Sequence, residues 1–384
     1  MTVSSGDVAE LVLGKIRQSG ALRFDAFLEL ALYGVGGFYA SGGGAGRRGD
    51  FLTSPEVGPL FGSVMARALD AEWDRLGRPE PFTVVEAGAG RGALARSVVA
   101  ARPDCLASLR YVCVERSAVL RRQANEVGGI AVSGTLPSGP ITGVILANEL
   151  LDNLAFRLLE RRSGGWAEVF VGVGEGHGLD EVLVDAPPEA AAFADQLAPD
   201  AGPGARVPLQ REATTWVADA LARLQRGRLV VVDYADTTPS FARRPWTEWV
   251  RTYRGHGRGS QPWDSLGSQD VTCEVAVDQL ALVRAPDHDR SQAEWLGEHG
   301  VHHLADEARA TWHERAQVGD LAALAARSRV GEAEALCDPA GLGAFRVLEW
   351  VVHPSSPCSG SRKVGFRAGS DYQKDGSRSE RRAR

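Results

Sequence analysis

The feature that most constrains the fold is a glycine-rich turn between a predicted strand and a predicted helix. Residues 82–86 form a short apolar run that predicts a buried strand, and residues 93–101 have helical spacing. Between them, glycine occupies the alternate positions Gly88, Gly90 and Gly92. Glycine permits a tight turn and the close approach of a ligand, and the helix beyond it presents unpaired N–H groups. We expect a polar ligand at this turn.

Short apolar runs and helical patterns alternate along much of the chain. Such alternation favours parallel strands, because each crossover helix covers one face of the sheet. The other predicted strands are 111–115, 144–147, 229–234 and a final strand at 345–352, and the other crossover helices are 117–126 and 214–224. The chain is therefore predicted to be an α/β protein with a Rossmann-like, doubly wound sheet and helices on both faces.

Composition shifts divide the chain into three parts. Residues 1–80 are predicted to be a helical region with a glycine-rich loop, in which Ser54 caps a helix and Pro55 takes its first position. Residues 81–353 would form the core. Two inserted cover segments are predicted within it, at about 155–210 and at about 245–300, and the first includes a hairpin over 166–184. Residues 354–384 hold eight basic and three acidic side chains and few apolar ones, which predicts a disordered basic tail.

Charge and cysteine usage narrow the class of protein. The formal net charge of -6 gives no general basic field, so nucleic-acid substrates are disfavoured. The five cysteines are scattered without a CxxC pair, so we expect neither a metal site nor a disulfide framework. No apolar run reaches the length of a membrane span or a signal peptide. We expect a soluble cytoplasmic protein.

The glycine turn alone leaves two cofactor classes open. Gly88, Gly90 and Ala93 also fit the dinucleotide fingerprint, with Glu115 placed to hold a ribose. Two details favour S-adenosylmethionine instead: the third alternate glycine, Gly92, and the acid Glu86 at the strand end. An acid there would repel a pyrophosphate but attract a cationic methionine group. With either cofactor, Glu115 can accept hydrogen bonds from both ribose hydroxyls.

Further polar side chains follow another predicted strand. Asn148, Glu149 and Asp152 come directly after the apolar run 144–147. In sheets of this kind, ligands bind in the crevice outside the carboxyl ends of the strands. We therefore expect Asn148 to contact the cofactor and the two acids to lie close by.

Eight blocks of the sequence resemble, in order, the MidA family of class I methyltransferases. The mitochondrial members of that family are complex I assembly factors similar to protein arginine methyltransferases. The resemblance covers roughly residues 20–350, and its most specific block is 48–56, because general methyltransferases lack it. The matching blocks are 33–39, 48–56, 86–94, 147–153, 227 with 229–234, 252–254, 270–278 and 338–348. The resemblance implies the class I methyltransferase fold and S-adenosylmethionine as cofactor.

The resemblance also implies an acceptor, which is the arginine side chain of a protein. A guanidinium stays charged near neutral pH, so paired carboxylates are needed to bind it, and Glu149 and Asp152 are the candidates. Block 48–56 would close over the cofactor or the acceptor, with Thr53 and Ser54 beside the cofactor and Asp50 among the catalytic residues.

Departures from the family pattern keep alternatives open. Ala89 and Ala235 replace a proline and a glycine that the family often has, and the segment after Thr252 is altered. A small-molecule O- or N-methyltransferase and a non-catalytic assembly factor that binds the cofactor and a partner both remain compatible with the sequence. The oligomeric state is not predicted, a homodimer being one option.

Overall fold

The N-terminal part of the chain is mainly helical. The structure is a computed structural model that describes residues 5–43, 53–125, 129–176, 178–255 and 257–353. The glycine-rich residues 44–52, including Asp50, and the basic residues 354–384 therefore lie outside the described part. The N-terminal elements are α1 (Ser5–Ser19), β1 (Leu22–Arg23), α2 (Phe24–Leu28), a π-helical turn (Glu29–Tyr33), α3 (Ser54–Val57) and α4 (Pro59–Arg75).

Strands and helices then alternate as the apolar runs predict. The first half of this region contains β2 (Phe82–Ala87), α5 (Ala93–Ala100), β3 (Leu109–Val114), α6 (Ala118–Ala124), β4 (Ala131–Ser133) and β5 (Ile141–Asn148). An inserted group follows, comprising β6 (Arg157–Arg162), β7 (Gly165–Val173), β8 (Leu179–Asp185), α7 (Pro188–Leu197) and β9 (Arg206–Leu209). The chain then returns through α8 (Arg211–Arg223) and β10 (Leu224–Asp233).

A second inserted group follows β10. It contains β11 (Ala235–Asp236), α9 (Thr238–Phe241), α10 (Trp246–Trp249), β12 (Val250–Arg254), β13 (Gly257–Arg258), β14 (Asp270–Cys273), β15 (Val275–Ala276) and α11 (Val277–Ala281). The described part ends with β16 (His288–Ser291), α12 (Gln292–Glu298), α13 (Val301–Arg315), α14 (Leu321–Cys337) and β17 (Arg346–Val352).

Seven of these strands form the central sheet, in the order β16-β17-β10-β5-β2-β3-β4. The strands from β10 to β4 are parallel to their neighbours, and β17 runs antiparallel to both β10 and β16. Helices cover both faces: α4, α5, α12 and α13 pack on one face, and α8 and α11 on the other. The predicted α/β class and doubly wound sheet are confirmed.

The first inserted group builds a second sheet that positions the N-terminal helices. Its strands lie in the order β1-β7-β6-β9, and β8 pairs with β7, as the predicted hairpin requires. Val169 and Val171 of this sheet are fully buried in one cluster with Val12 of α1 and Phe27 of α2. Burial of these apolar side chains holds the N-terminal part against the inserted sheet.

The helix predicted to begin near Ser54 is divided into two. Ser54 is the first helical residue rather than its cap, and the chain leaves the helix at Gly58 before α4 begins at Pro59. The buried Glu332 of α14 accepts a hydrogen bond from the Leu60 N–H (2.9 Å). An acid at a helix N-terminus satisfies a backbone donor and complements the helix dipole. This contact, which joins residues 272 positions apart, explains why local sequence does not reveal the break.

Candidate active site

A cavity of about 440 Å³ lies where the central parallel strands end. Its walls come from residues that follow β2, β3, β4 and β5 and from the N-terminal part of the chain. From β2 the chain moves outward to β3 and β4 and then crosses to β5 on the other side of β2. Ligands of open α/β sheets bind in the crevice at such a switch point. We therefore take this cavity as the candidate active site.

The glycine turn forms one wall of the cavity. Gly88, Gly90 and Gly92 have φ angles of +70°, +53° and +74°, in the left-handed region that glycine adopts at little cost. A Cβ atom on Gly88 would lie 3.0 Å from Cδ1 of Leu150, another lining residue. The sequence therefore needs glycine here for backbone conformation and, at Gly88, for close packing against Leu150.

Glu115 closes the next part of the wall, at the end of β3. One carboxylate oxygen accepts the Gly90 N–H (2.9 Å) and the other accepts the Ser117 N–H (2.7 Å). The side chain is buried at 8% exposure, and burial raises its pKa. Glu115 is thus not a solvated acid at a strand terminus but a fixed carboxylate that lines the cavity.

Glu86, the acid at the end of β2, also lines the cavity. It is buried and accepts a hydrogen bond from the Tyr111 hydroxyl (2.7 Å). Burial raises the pKa of Glu86 to about 7, so its charge responds to any cation that binds beside it.

Glu149 projects from the end of β5 with an unusual backbone. Its φ of +51° is rare for a residue other than glycine. One carboxylate oxygen accepts hydrogen bonds from the Ser54 N–H (3.1 Å) and from the Asn148 side-chain amide (3.0 Å). Burial and, after it, the nearby Asp152 raise the pKa of Glu149 to about 8. A strained residue with a perturbed pKa on a cavity wall is a strong candidate for a functional group.

Asp152 lies behind the wall rather than on it. Its neighbour Asn153 lines the cavity, whereas Asp152 is only 3% exposed and does not. Burial and the carboxylates Asp233 and Asp270 hold its pKa well above the ordinary value. The structure therefore differs from the expectation that Glu149 and Asp152 face the acceptor as a pair, because Asp152 is buried within the short turn Leu151–Asn153 and does not line the cavity.

The N-terminal block reaches the cavity through some of its predicted residues. Thr53 and Glu56 line it, but the side chain of Ser54 does not. Ser54 is fully buried, and its hydroxyl donates to the Gln292 side chain of α12 (2.9 Å) while its N–H holds Glu149. Ser54 thus supports a site residue.

Sequence reasoning missed a pair of aromatic residues that line the cavity. Tyr33 and Tyr39 line the cavity with stacked rings whose centroids are 5.4 Å apart. The Tyr39 hydroxyl donates to the buried Asp270 (3.0 Å), and the Arg116 guanidinium lies over the Tyr33 ring at 4.2 Å. Both tyrosines belong to the family-like block 33–39, which is the only signal for them in the sequence, and that block does not assign either tyrosine a role.

Comparison with known proteins decides the family. A model of a family described as S-adenosyl-L-methionine-dependent methyltransferases matches residues 64–292, which is more than half of the chain. The chain belongs to this methyltransferase family. The matched region contains the glycine turn, Glu115 and the residues that follow β5, and the MidA resemblance is confirmed.

Two related proteins and one solved structure are similar to this chain. The chain is 30% identical to the Drosophila melanogaster mitochondrial protein arginine methyltransferase NDUFAF7 homolog over 46% of this chain and 47% of that protein, about half its length. It is 26% identical to the Mus musculus protein arginine methyltransferase NDUFAF7 over 69% of this chain and 67% of the relative. A Burkholderia thailandensis protein crystallised with S-adenosyl-homocysteine is 26% identical, with a TM-score of 0.79 that covers 91% of this chain and 92% of that one.

The cavity of this methyltransferase suits S-adenosylmethionine, its cofactor. The Asn148 side-chain oxygen is buried in the wall and has no hydrogen-bond partner among the described residues, so it can accept from the ammonium group of the methionine end. Glu86 favours a cation on the same side, and Glu115 can accept the ribose hydroxyls. The bound cofactor supplies a methyl group on a positively charged sulfur.

Two negative findings apply to the described part of the chain. None of its helices has the length and apolar character needed to cross a membrane. Nor do its His, Cys, Asp and Glu side chains form a group of three that could hold a metal ion.

Proposed function

We propose that this methyltransferase methylates the arginine side chain of a protein. The observation that carries the proposal is Glu149, a carboxylate on the cavity wall backed by the buried acids Asp152, Asp233 and Asp270. So many carboxyl groups next to a cofactor site suit a cationic acceptor, because a bound cation would favour their ionised forms. The names of the fly and mouse relatives support the same acceptor class.

Glu149 can bind the guanidinium and receive its proton. The second carboxylate oxygen, which is not used by Ser54 and Asn148, can accept hydrogen bonds from the guanidinium N–H groups. A raised pKa makes Glu149 a stronger base than an ordinary carboxylate, so it can take up the proton that nitrogen loses on methylation. Asp152 behind it raises the pKa of Glu149 further. Asp152 therefore acts in this proposal through Glu149 rather than by touching the acceptor.

Mass spectrometry tests the proposal. The protein is incubated with cell extract and cofactor that carries a deuterated methyl group, and the extract is then searched for labelled molecules. We expect label on arginine side chains of a protein, lost in Glu149→Gln and reduced in Asp152→Asn. Label found only in small molecules would replace the proposal with a small-molecule methyltransferase. Cofactor binding by calorimetry with label in no molecule would favour a non-catalytic assembly factor.

For localisation we propose the cytoplasm. Cys105, Cys113 and Cys273 are free and buried, which suits a reducing compartment. The mitochondrial matrix is also reducing, and the fly and mouse relatives are named as mitochondrial proteins. Fluorescence imaging of the tagged chain, in a cell that has both a cytoplasm and mitochondria, distinguishes the two compartments.

A further inference from the structure

A buried glutamine outside the cavity is connected to Glu149 by hydrogen bonds. Gln292, the first residue of α12, is fully buried and does not line the cavity. Its side-chain oxygen accepts a hydrogen bond from the Ser54 hydroxyl (2.9 Å), and the Ser54 N–H donates to the Glu149 carboxylate (3.1 Å). Two hydrogen bonds thus join α12, across Ser54, to the carboxylate on the cavity wall.

Contacts with other elements fix the place of the Gln292 side chain. Its backbone N–H donates to the carbonyl of Phe345 (2.7 Å), which precedes β17, and its side-chain nitrogen donates to the carbonyl of Leu336 in α14 (3.1 Å). The preceding Ser291 caps α12. Because its backbone and its amide nitrogen are both held, Gln292 offers the Ser54 hydroxyl an acceptor at one fixed position.

Stability alone does not explain why a polar pair lies at this place. Ser54 and Gln292 are both 0% exposed. A buried hydroxyl or amide is costly unless it is hydrogen-bonded, whereas replacing both partners by apolar groups of the same shape is often nearly neutral. The pair is explained instead by what it does to the Ser54 backbone, whose N–H it keeps directed at Glu149.

A separate contact keeps the neighbouring helix attached to the core. The buried Glu332 of α14 accepts a hydrogen bond from the Leu60 N–H at the start of α4 (2.9 Å). Loss of the Gln292 contact should therefore loosen Ser54 and leave α4 in place. The consequence for Glu149 can then be measured in a folded protein.

Glu149 needs support from outside its own loop. Its φ of +51° is a strained conformation, and a strained residue keeps its conformation only where its surroundings fix it. We propose that Gln292 is a positioning residue for methyl transfer, which through Ser54 holds the Glu149 carboxylate in the orientation that receives the acceptor. This role presupposes the function proposed above for Glu149.

The titration of Glu149 reports whether the Ser54 N–H still faces it. Burial and, after it, Asp152 raise the pKa of Glu149, whereas the hydrogen bond from the Ser54 N–H lowers it. Loss of a hydrogen bond to a charged group is large enough to raise the titration midpoint by about one pH unit. Replacing Gln292 leaves unchanged the titratable groups that face Glu149, which are Asp152, Asp233 and Tyr234.

Carbon NMR of the free protein measures this midpoint without acceptor or cofactor. With glutamate labelled at its carboxyl carbon, the resonance missing from Glu149→Gln belongs to Glu149. We expect Gln292→Met to raise the midpoint by about one pH unit, and Ser54→Ala to shift it in the same direction. The double variant should show no larger shift than Gln292→Met, because both changes break the same link. Gln279→Met, which removes another buried glutamine on α11, should leave the midpoint unchanged.

Kinetic measurements connect the shift with catalysis. On an arginine peptide, the acid limb of kcat/KM for Gln292→Met should move to higher pH by the same amount, so the value at pH 6 should fall about tenfold. Binding of S-adenosylhomocysteine, measured by calorimetry, should stay unchanged. An equal loss of affinity for S-adenosylhomocysteine would indicate general damage to the cavity and would count against the positioning role.

The NMR titration can overturn the inference directly. An unchanged midpoint in folded Gln292→Met would refute the positioning role, as would shifts of the two single variants that add in the double variant. Should Gln292→Met fail to fold, Ser54→Ala decides by the same criterion. A shifted midpoint in a protein that methylates no arginine peptide would refute the proposed acceptor, while the link between Gln292 and Glu149 would stand.

Discussion

Replacing Glu149 with glutamine should stabilise the protein while removing its proposed activity. Burial and the charge of Asp152 raise the pKa of Glu149 from 4.5 to about 8. A carboxyl group whose pKa is higher in the folded state favours folding when protonated, so its stabilising effect is lost as pH rises from 4.5 to 8. Glutamine resembles the protonated form and keeps an acceptor oxygen for the Ser54 N–H.

The size of the effect follows from the pKa difference. Linkage gives a gain for Glu149→Gln of about 3 kcal/mol at pH 7 and about 1 kcal/mol at pH 5. The raised pKa therefore costs the folded protein stability at neutral pH. Such a cost is the usual mark of a residue kept for function rather than for folding.

Urea unfolding at pH 5 and pH 7 measures this difference. The free energy of unfolding of Glu149→Gln minus that of the parent protein should increase by about 2 kcal/mol between the two pH values. Glu189→Gln, an exposed substitution in the first turn of α7, should show no such increase. An equal difference at both pH values for Glu149→Gln would refute a raised pKa and, with it, the basicity assigned to Glu149.

Three further outcomes are expected. Methyl transfer to an arginine peptide should rise about tenfold per pH unit below pH 7 in kcat/KM, since Glu149 must lose its proton to bind a cation, and a flat profile over this range would contradict that role. Glu115→Gln should weaken S-adenosylhomocysteine by about tenfold in calorimetry, because a charged acceptor for the ribose is lost. Gly88→Ala should destabilise the fold more than Gly90→Ala in urea: both strain a left-handed backbone by about 1–2 kcal/mol, but only the first adds a contact with Leu150.

The strands in the interior of the sheet could be predicted from the sequence because helices cover them on both faces. The runs 82–86 and 229–234 became β2 and β10, since a parallel strand covered on both faces is apolar throughout. The sheet-edge strands β4 and β16 were not predicted. They are short and partly exposed, so no apolar run or alternation marks them.

The site was predictable only in part. Glu115 and Glu149 lie on the cavity wall because parallel strands bring their carboxyl ends to one edge of the sheet. Asp152 was expected beside Glu149 on the same reasoning. A short turn buries it instead, and no sequence pattern indicates which of two neighbouring polar residues a turn will expose.

The sequence by itself determined the sheet and the glycine turn, because hydrophobic periodicity and glycine conformation act over a few residues. The acid Glu86, the third glycine Gly92 and the family resemblance then favoured the class of cofactor. Only the tertiary structure decided what surrounds that cofactor. It brings Tyr33 and Tyr39 from the N-terminal part and Trp216 from α8 to the same cavity, and it sets Asp270 behind the wall. Those contacts join residues far apart in the chain, and they form because buried apolar clusters fix how the helices and inserted sheets pack around the core.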